Sequence, residues 1–297
     1  MSDPLATSGI VVIDKPQGLT SHDVVARLRR AFGTRKVGHA GTLDPMATGV
    51  LVVGIERGTK LLAHLVAETK TYEATIRLGA TTTTDDAEGE VVSTSPTDAV
   101  TDADIIDAID SFRGDIMQRP SSVSAIKIDG KRAHQLVREG HDVEIPARPV
   151  TIHEYSILGI ARVDTWIDVD VRVHCSSGTY IRALARDLGE TLHTGGHLTA
   201  LRRTTVGPFN LEHALELEDI QAHPRFSLTL NEACATCWPV LPVTNDEYDA
   251  LAMGKWLEPR GLSGVHAAQR DDGRVVALVK ESKKRLATVF VARPSTL

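Results

Sequence analysis

The chain has 297 residues, of which 42% are hydrophobic and 24% charged, with a formal net charge of -6 and an isoelectric point near 6.1. That balance describes a soluble globular chain longer than one ordinary domain, and it argues against a non-specific polyanion binder, which needs Lys and Arg in excess. Met1 to Ser8 lacks the features of a secretion signal, apolar runs such as Val50 to Val53 are too short to span a bilayer, and three cysteines make no disulfide framework, so a cytoplasmic protein is expected.

In chain order, Ile10-Val11-Val12-Ile13 reads as a strand ending in a turn at Asp14-Lys15-Pro16-Gln17-Gly18. Ser21 is placed to cap the following helix, where Val24, Val25 and Leu28 lie at helical spacing. Residues 27 to 36 hold Arg27, Arg29, Arg30, Arg35 and Lys36 with no acid, either a solvated helix face or a phosphate contact. Gly38-His39-Ala40-Gly41-Thr42-Leu43-Asp44-Pro45-Met46-Ala47-Thr48-Gly49 follows, an imidazole and a carboxylate set among glycines and a proline. The glycines permit tight turning and close approach of a ligand, and Pro45 biases Asp44 away from helical geometry. From spacing alone Asp44 can be a nucleophile, a general base, a metal ligand or an N-cap, with a capping or turn role the commonest.

Val50 to Ile55 reads as a buried strand, Thr59 to Ala67 as a helix and Thr71 to Leu78 as an alternating strand carrying Tyr72. Thr81 to Asp86 is a polar loop whose paired aspartates suit either a divalent cation or, by composition, an exposed hairpin turn. An acidic helix over 103–112 is expected to face solvent, in a region where residues 85 to 115 hold ten acids against Arg113 alone. Gln118 to Lys127 leads into a strand, a Gly130 turn and a helix from Lys131 to Glu139, a second basic patch with Arg132. Strands alternate through Val143 to Ile160 and Ile167 to Val173, the pattern of a sheet with one wet face.

Cys175 to Arg182 opens a helix with a core stripe of Ile181, Leu184, Ala185 and Leu188. A cation on its first turn, Arg182, needs a carboxylate or phosphate partner unless it is a plain surface arginine. His197 to Thr204 is strand-like. Cys234-Ala235-Thr236-Cys237, without a second pair, reads as two thiols at a helix end, and no metal site is expected. Beyond residue 238 the texture changes to a helix over 246–253 and a small β-rich module with a hairpin signal at Asp271-Asp272-Gly273.

Five segments in this order, Asp14-Lys15-Pro16-x-Gly18, Gly38 to Gly49, Lys70-x-Tyr72, Ser177 to Arg182 and Leu201-Arg202-Arg203, resemble the bacterial TruB family, the tRNA pseudouridine-55 synthases. The resemblance implies an α/β fold with a mixed, largely antiparallel sheet flanked by helices over residues 1–238. Residues 239–297 resemble a PUA-type RNA-binding module. It further implies isomerisation of a T-arm loop uridine in tRNA, without cofactor or metal, by a monomer with no obligate protein partner and no membrane association. By position, Asp44 corresponds to the family's essential aspartate, Tyr72 to the residue that stacks on the flipped base and assists proton removal from C5, and Arg182 to the partner of Asp44. His39 would fill the place of the displaced base, Lys15 would support the floor, and Tyr180 and Leu201 would line the uracil pocket. Arg29, Arg30, Arg132 and Arg203 are expected at phosphates. The competing reading is an RNA-binding protein that assists tRNA folding, with isomerisation secondary or absent.

Overall fold

The computed structural model describes residues 3, 5–66, 68–121, 127–128, 131–132 and 145–296. The chain opens with β1 (Gly9–Lys15), α1 (Ser21–Ala31), β2 (Val37–His39), β3 (Thr48–Ile55) and α2 (Gly58–Leu65). The middle runs through β4 (Lys70–Leu78), β5 (Ala80–Thr82), β6 (Val91–Thr94), α3 (Asp102–Ser111), β7 (Gly114–Gln118), β8 (Lys127–Ile128) and β9 (Lys131–Arg132). It continues with β10 (Arg148–Val163), β11 (Trp166–Cys175), α4 (Ile181–Thr191) and β12 (Gly196–Val206). The last third comprises β13 (Phe209–Asn210), β14 (Ala214–Glu216), α5 (Leu217–Ala222), β15 (Leu228–Thr229) and α6 (Leu230–Cys237), then β16 (Val240–Pro242), α7 (Asn245–Ala252), β17 (Val265–Gln269), β18 (Val275–Ser282) and β19 (Arg285–Val291). These elements form two compact units, one of Met1–Asp44, Gly49–Val66 and Gly207–Leu297, the other of Pro45–Thr48 and Ala67–Val206.

In the first unit β1 is an almost unbroken apolar run because it is covered on both faces. It pairs antiparallel with β3, Ile13 opposite Leu51, and parallel with β14, Val12 opposite Ala214. The cap of α1 is Thr20 rather than Ser21: Thr20 and Asp23 satisfy each other's backbone N–H groups at capping-box spacing. The hydroxyl of Ser21 is thereby left for another task. Later in the same unit β17, β18 and β19 form an antiparallel sheet with β16 parallel at its edge, over a core that includes Leu241, Leu251, Val276 and Leu286. The hairpin turn falls where the Asp-Gly signal puts it, with Gly273 at φ 82. Arg57 Nε donates to the Ala292 carbonyl at 2.8 Å, and Asp3 accepts from Arg293 at 2.6 and 2.7 Å, fastening this sheet to the opening segments.

In the second unit β12, β4, β11, β10 and β7 lie side by side, all antiparallel. The alternation read in β4 is exact in burial: Lys70, Tyr72, Ala74, Ile76 and Leu78 are buried and the residues between them are not. α4 covers β12 and β4 with Ile181, Leu184, Ala185 and Leu188, the stripe read from the sequence. One expectation fails here. Lys131 and Arg132 pair antiparallel with Ile128 and Lys127 as strand β9, so the helix does not begin at Lys131: the backbone there is committed to a strand ladder. The rest of that expected helix lies outside the described residues.

Candidate active site

The glycine-rich stretch is a strand followed by a shaped loop. His39 ends β2 opposite Val53, Ala40 N–H donates to Val52 at 2.9 Å, and Gly41 adopts φ 95, a left-handed bend that a side chain would strain. Leu43, Met46 and Ala47 are buried while Asp44 between them is half-buried. Asp44 stands just before a turn at Pro45 and Met46 and begins no helix, which removes the N-cap reading and leaves a carboxylate held on a loop.

α1 braces this loop at three places. Arg29 donates to the Val37 carbonyl at 3.2 Å, the His22 ring packs edge-on against His39 at 5.6 Å between centroids, and Ser21 bonds to the backbone of Leu43. Arg29 and Arg30 are exposed on the last turn of the same helix, so a phosphate can reach them. Lys15 is fully buried, and its ammonium donates to the carbonyls of Pro16 at 2.9 Å and Leu19 at 2.7 Å, closing the turn that leads into α1.

In the second unit Tyr72 is 8% exposed on the buried face of β4, between Val173 of β11 and Arg203 of β12. Arg182 is 5% exposed, which rules out the plain surface arginine. A helix start disfavours a cation. Here Arg182 Nε lies 3.5 Å from Asp86 Oδ2, and Nη1 donates to the Thr84 carbonyl at 2.9 Å. One turn on, Arg186 Nη1 lies 3.5 Å from Asp85 Oδ2. The paired aspartates therefore serve two arginines on one face of α4. The exposed-turn reading fails for Asp86, which is 2% exposed because the loop runs along β12, Leu198 N–H donating to the Asp85 carbonyl at 3.0 Å.

Tyr180, half-buried, precedes α4, and the buried Gln118 side chain bonds both its backbone groups, donating to the carbonyl at 3.0 Å and accepting from the N–H at 2.8 Å. Leu201, 8% exposed, faces Ala74 in register. Arg203 is 1% exposed, an interior environment in which a phosphate would have to displace the packing around it, so it drops out of the phosphate set. Burial, then repulsion from Arg203, pushes the Lys70 ammonium down to about 8. Arg132 is described only as part of β9. Sequence reasoning missed Asp86, Gln118, Ser21 and His22; for Asp86 the signal was present in the paired aspartates but assigned to a turn.

Three family models match the chain in succession. Residues 29–181 match the family model "TruB family pseudouridylate synthase (N terminal domain)", residues 182–232 "tRNA pseudouridylate synthase B C-terminal domain", and residues 238–293 "tRNA Pseudouridine synthase II, C terminal". The tRNA pseudouridine synthase B of Corynebacterium diphtheriae is 66% identical over 300 residues, covering all of both chains, and that of a Mycobacterium strain is 57% identical over 297 residues, again covering both. Among solved structures, a chain of a Cbf5-Nop10-Gar1 complex is similar with a TM-score of 0.75 at 25% identity, over 99% of this chain and 88% of that one. A chain of an H/ACA RNP bound to a substrate RNA has a TM-score of 0.73 at 24% identity, over 98% and 86%.

Proposed function

The chain belongs to the TruB family of pseudouridylate synthases, and from that premise we infer how its residues isomerise the T-arm loop uridine of tRNA to pseudouridine. It is an isomerase: the C1′–N1 bond breaks, the uracil turns within the site, C1′ bonds to C5, the C5 proton leaves to solvent through a base, and N1 takes up a proton from solvent in its place. Bonds broken and formed lie in one nucleotide, so no electrons or groups need to enter from outside, and the reading calls for no cofactor or metal.

Asp44 is the carboxylate that acts on the sugar or base. Such a group tends to take a proton when a bound substrate desolvates it, and a guanidinium within hydrogen-bond reach keeps the ionised form. Arg182 is assigned that task. A guanidinium already 5% exposed and oriented by Asp86 has lost its hydration before RNA arrives, and this supports the assignment most directly. The uridine has to leave its stack to be reached. Tyr72 then receives the flipped base and assists proton removal from C5, His39 occupies the vacated place, and Tyr180 and Leu201 line the uracil. Lys15 holds the floor, while Arg29 and Arg30 meet phosphates.

The reading extends to a catalytic domain over 1–238, an RNA-binding module over 239–297, and a cytoplasmic monomer working without an obligate protein partner. No helix among the described residues is long and apolar enough to cross a membrane. The test is mapping of an unmodified tRNA transcript after incubation with the protein, by mass spectrometry after carbodiimide derivatisation, which tags pseudouridine although the isomerisation itself leaves the mass unchanged. Conversion of one T-loop uridine is expected, and none in a transcript carrying cytidine there. Accelerated tRNA folding with no pseudouridine formed would replace the enzyme by the folding assistant.

A further inference from the structure

Asp44 sits on a loop that bends at Gly41, φ 95, three residues before it, and chemistry at one carboxylate requires that loop to be held in place. Ser21 is 1% exposed, and its hydroxyl makes two bonds to one residue, donating to the Leu43 carbonyl at 3.1 Å and accepting from the Leu43 N–H at 2.9 Å. The Leu43 carbonyl belongs to the peptide bond that carries the Asp44 nitrogen. Two bonds from one oxygen therefore set the orientation of the peptide planes on both sides of Leu43, immediately before Asp44. Capping does not explain this serine, because Thr20 and Asp23 already close the helix start.

We propose that Ser21 is a positioning residue of the isomerisation, holding Leu43 so that Asp44 presents its carboxylate in one orientation. The inference rests on Asp44 being the catalytic carboxylate. Ser21 touches no substrate, so its loss acts on the chemical step and leaves RNA affinity in place. A buried hydroxyl with no mechanical role would show the reverse pattern, lost stability with an unchanged rate in the folded fraction.

The experiment compares wild type, Ser21→Ala and Ser21→Cys in single-turnover release of tritium from C5-labelled uridine in tRNA, with enzyme saturating, alongside tRNA Kd and the fraction folded. Ser21→Cys keeps the side-chain volume close and retains a weak donor and acceptor, so it remains informative should Ser21→Ala fail to fold. Expected is a rate order of wild type, then Cys, then Ala, with the alanine variant down about 10- to 100-fold, the range a misplacement of about 1 Å produces. Kd should stay within about threefold, since the phosphate contacts that dominate affinity are untouched. A rate within about threefold of wild type for both variants, measured against the scatter such contacts show, or a loss confined to Kd, overturns the inference. Undiminished release by Asp44→Asn in the same assay would instead sink the underlying reading of Asp44, and the two failures are thereby distinct.

Discussion

Replacing Asp86 with asparagine should damage both the stability and the rate of this protein, and by more than its neighbour does. The Asp86 and Arg182 side chains are 3% and 6% exposed and 3.5 Å apart. At that separation two unit charges attract by about 5 kcal/mol at an effective dielectric of ~20. Neutralising one member of a buried pair weakens the compensation of the other charge, a loss of up to about 3–5 kcal/mol. Asparagine can still accept from the Thr84 hydroxyl and the Glu88 N–H, which contact Asp86 at 2.5 and 3.0 Å, so the lower end, about 3 kcal/mol, is the expected loss. Asp85 provides the internal control. Its pair with Arg186 is also 3.5 Å long, but the side chains are 16% and 19% exposed and Arg186 additionally meets Asp187 at 2.7 Å. Asp85→Asn should therefore lose only about 1 kcal/mol. Urea unfolding at pH 7 reads the two values, and single-turnover pseudouridine formation reads the rate, expected about 10- to 100-fold lower in Asp86→Asn from a misplaced guanidinium. Equal losses in the two variants, or an unchanged rate for Asp86→Asn, would refute the reasoning that Asp86 orients Arg182.

The remaining expectations concern titration and RNA affinity. The buried Lys70 ammonium has been pushed from an ordinary 10.5 down to about 8, so the unfolded chain holds this proton more tightly than the folded one. Stability on this account is greatest above pH 10.5 and is lost as pH falls to 8; relative to Lys70→Met, wild type should be about 3 kcal/mol worse below pH 8, with the gap closing toward pH 10.5. Burial holds the Cys175 thiol at about 11 in the folded state, which opposes this above pH 9, and Lys70 itself acts on that thiol, so both proteins are compared in a Cys175→Ala background by their urea midpoints; a gap constant over that range would contradict the assignment. Arg30→Glu should weaken tRNA binding without altering the single-turnover rate and reduce the slope of log Kd against log salt by about 1. An unchanged slope would return Arg30 to a solvated helix face.

Elements whose residues answer only to their own neighbours were readable from sequence. The period-two burial of Lys70 to Leu78, the stripe of Ile181, Leu184, Ala185 and Leu188, and the turn at Gly273 each follow from a local pattern. Partners distant along the chain were not. Nothing near Asp86 announces that Arg182 will lie against it, and nothing in Gln118-Arg119-Pro120 says that its amide will hold Tyr180. Arg203, in a run of charged and hydroxyl residues, reads as exposed, yet it lies opposite Tyr72 on a buried face. Thr20 and Ser21 are both capping residues by type; the spacing to Asp23 selects Thr20, and the fold then turns Ser21 toward Leu43.

The claim on which all of this turns is that Asp44 performs the isomerisation. Asp44→Asn keeps the size and most of the hydrogen-bonding capacity of the side chain while removing its charge and nucleophilicity. Tritium release from C5-labelled uridine, measured beside tRNA Kd for wild type and this variant, tests it directly. The account predicts abolished release with tRNA binding retained. Equal release by both proteins would contradict it and remove Asp44 from the mechanism.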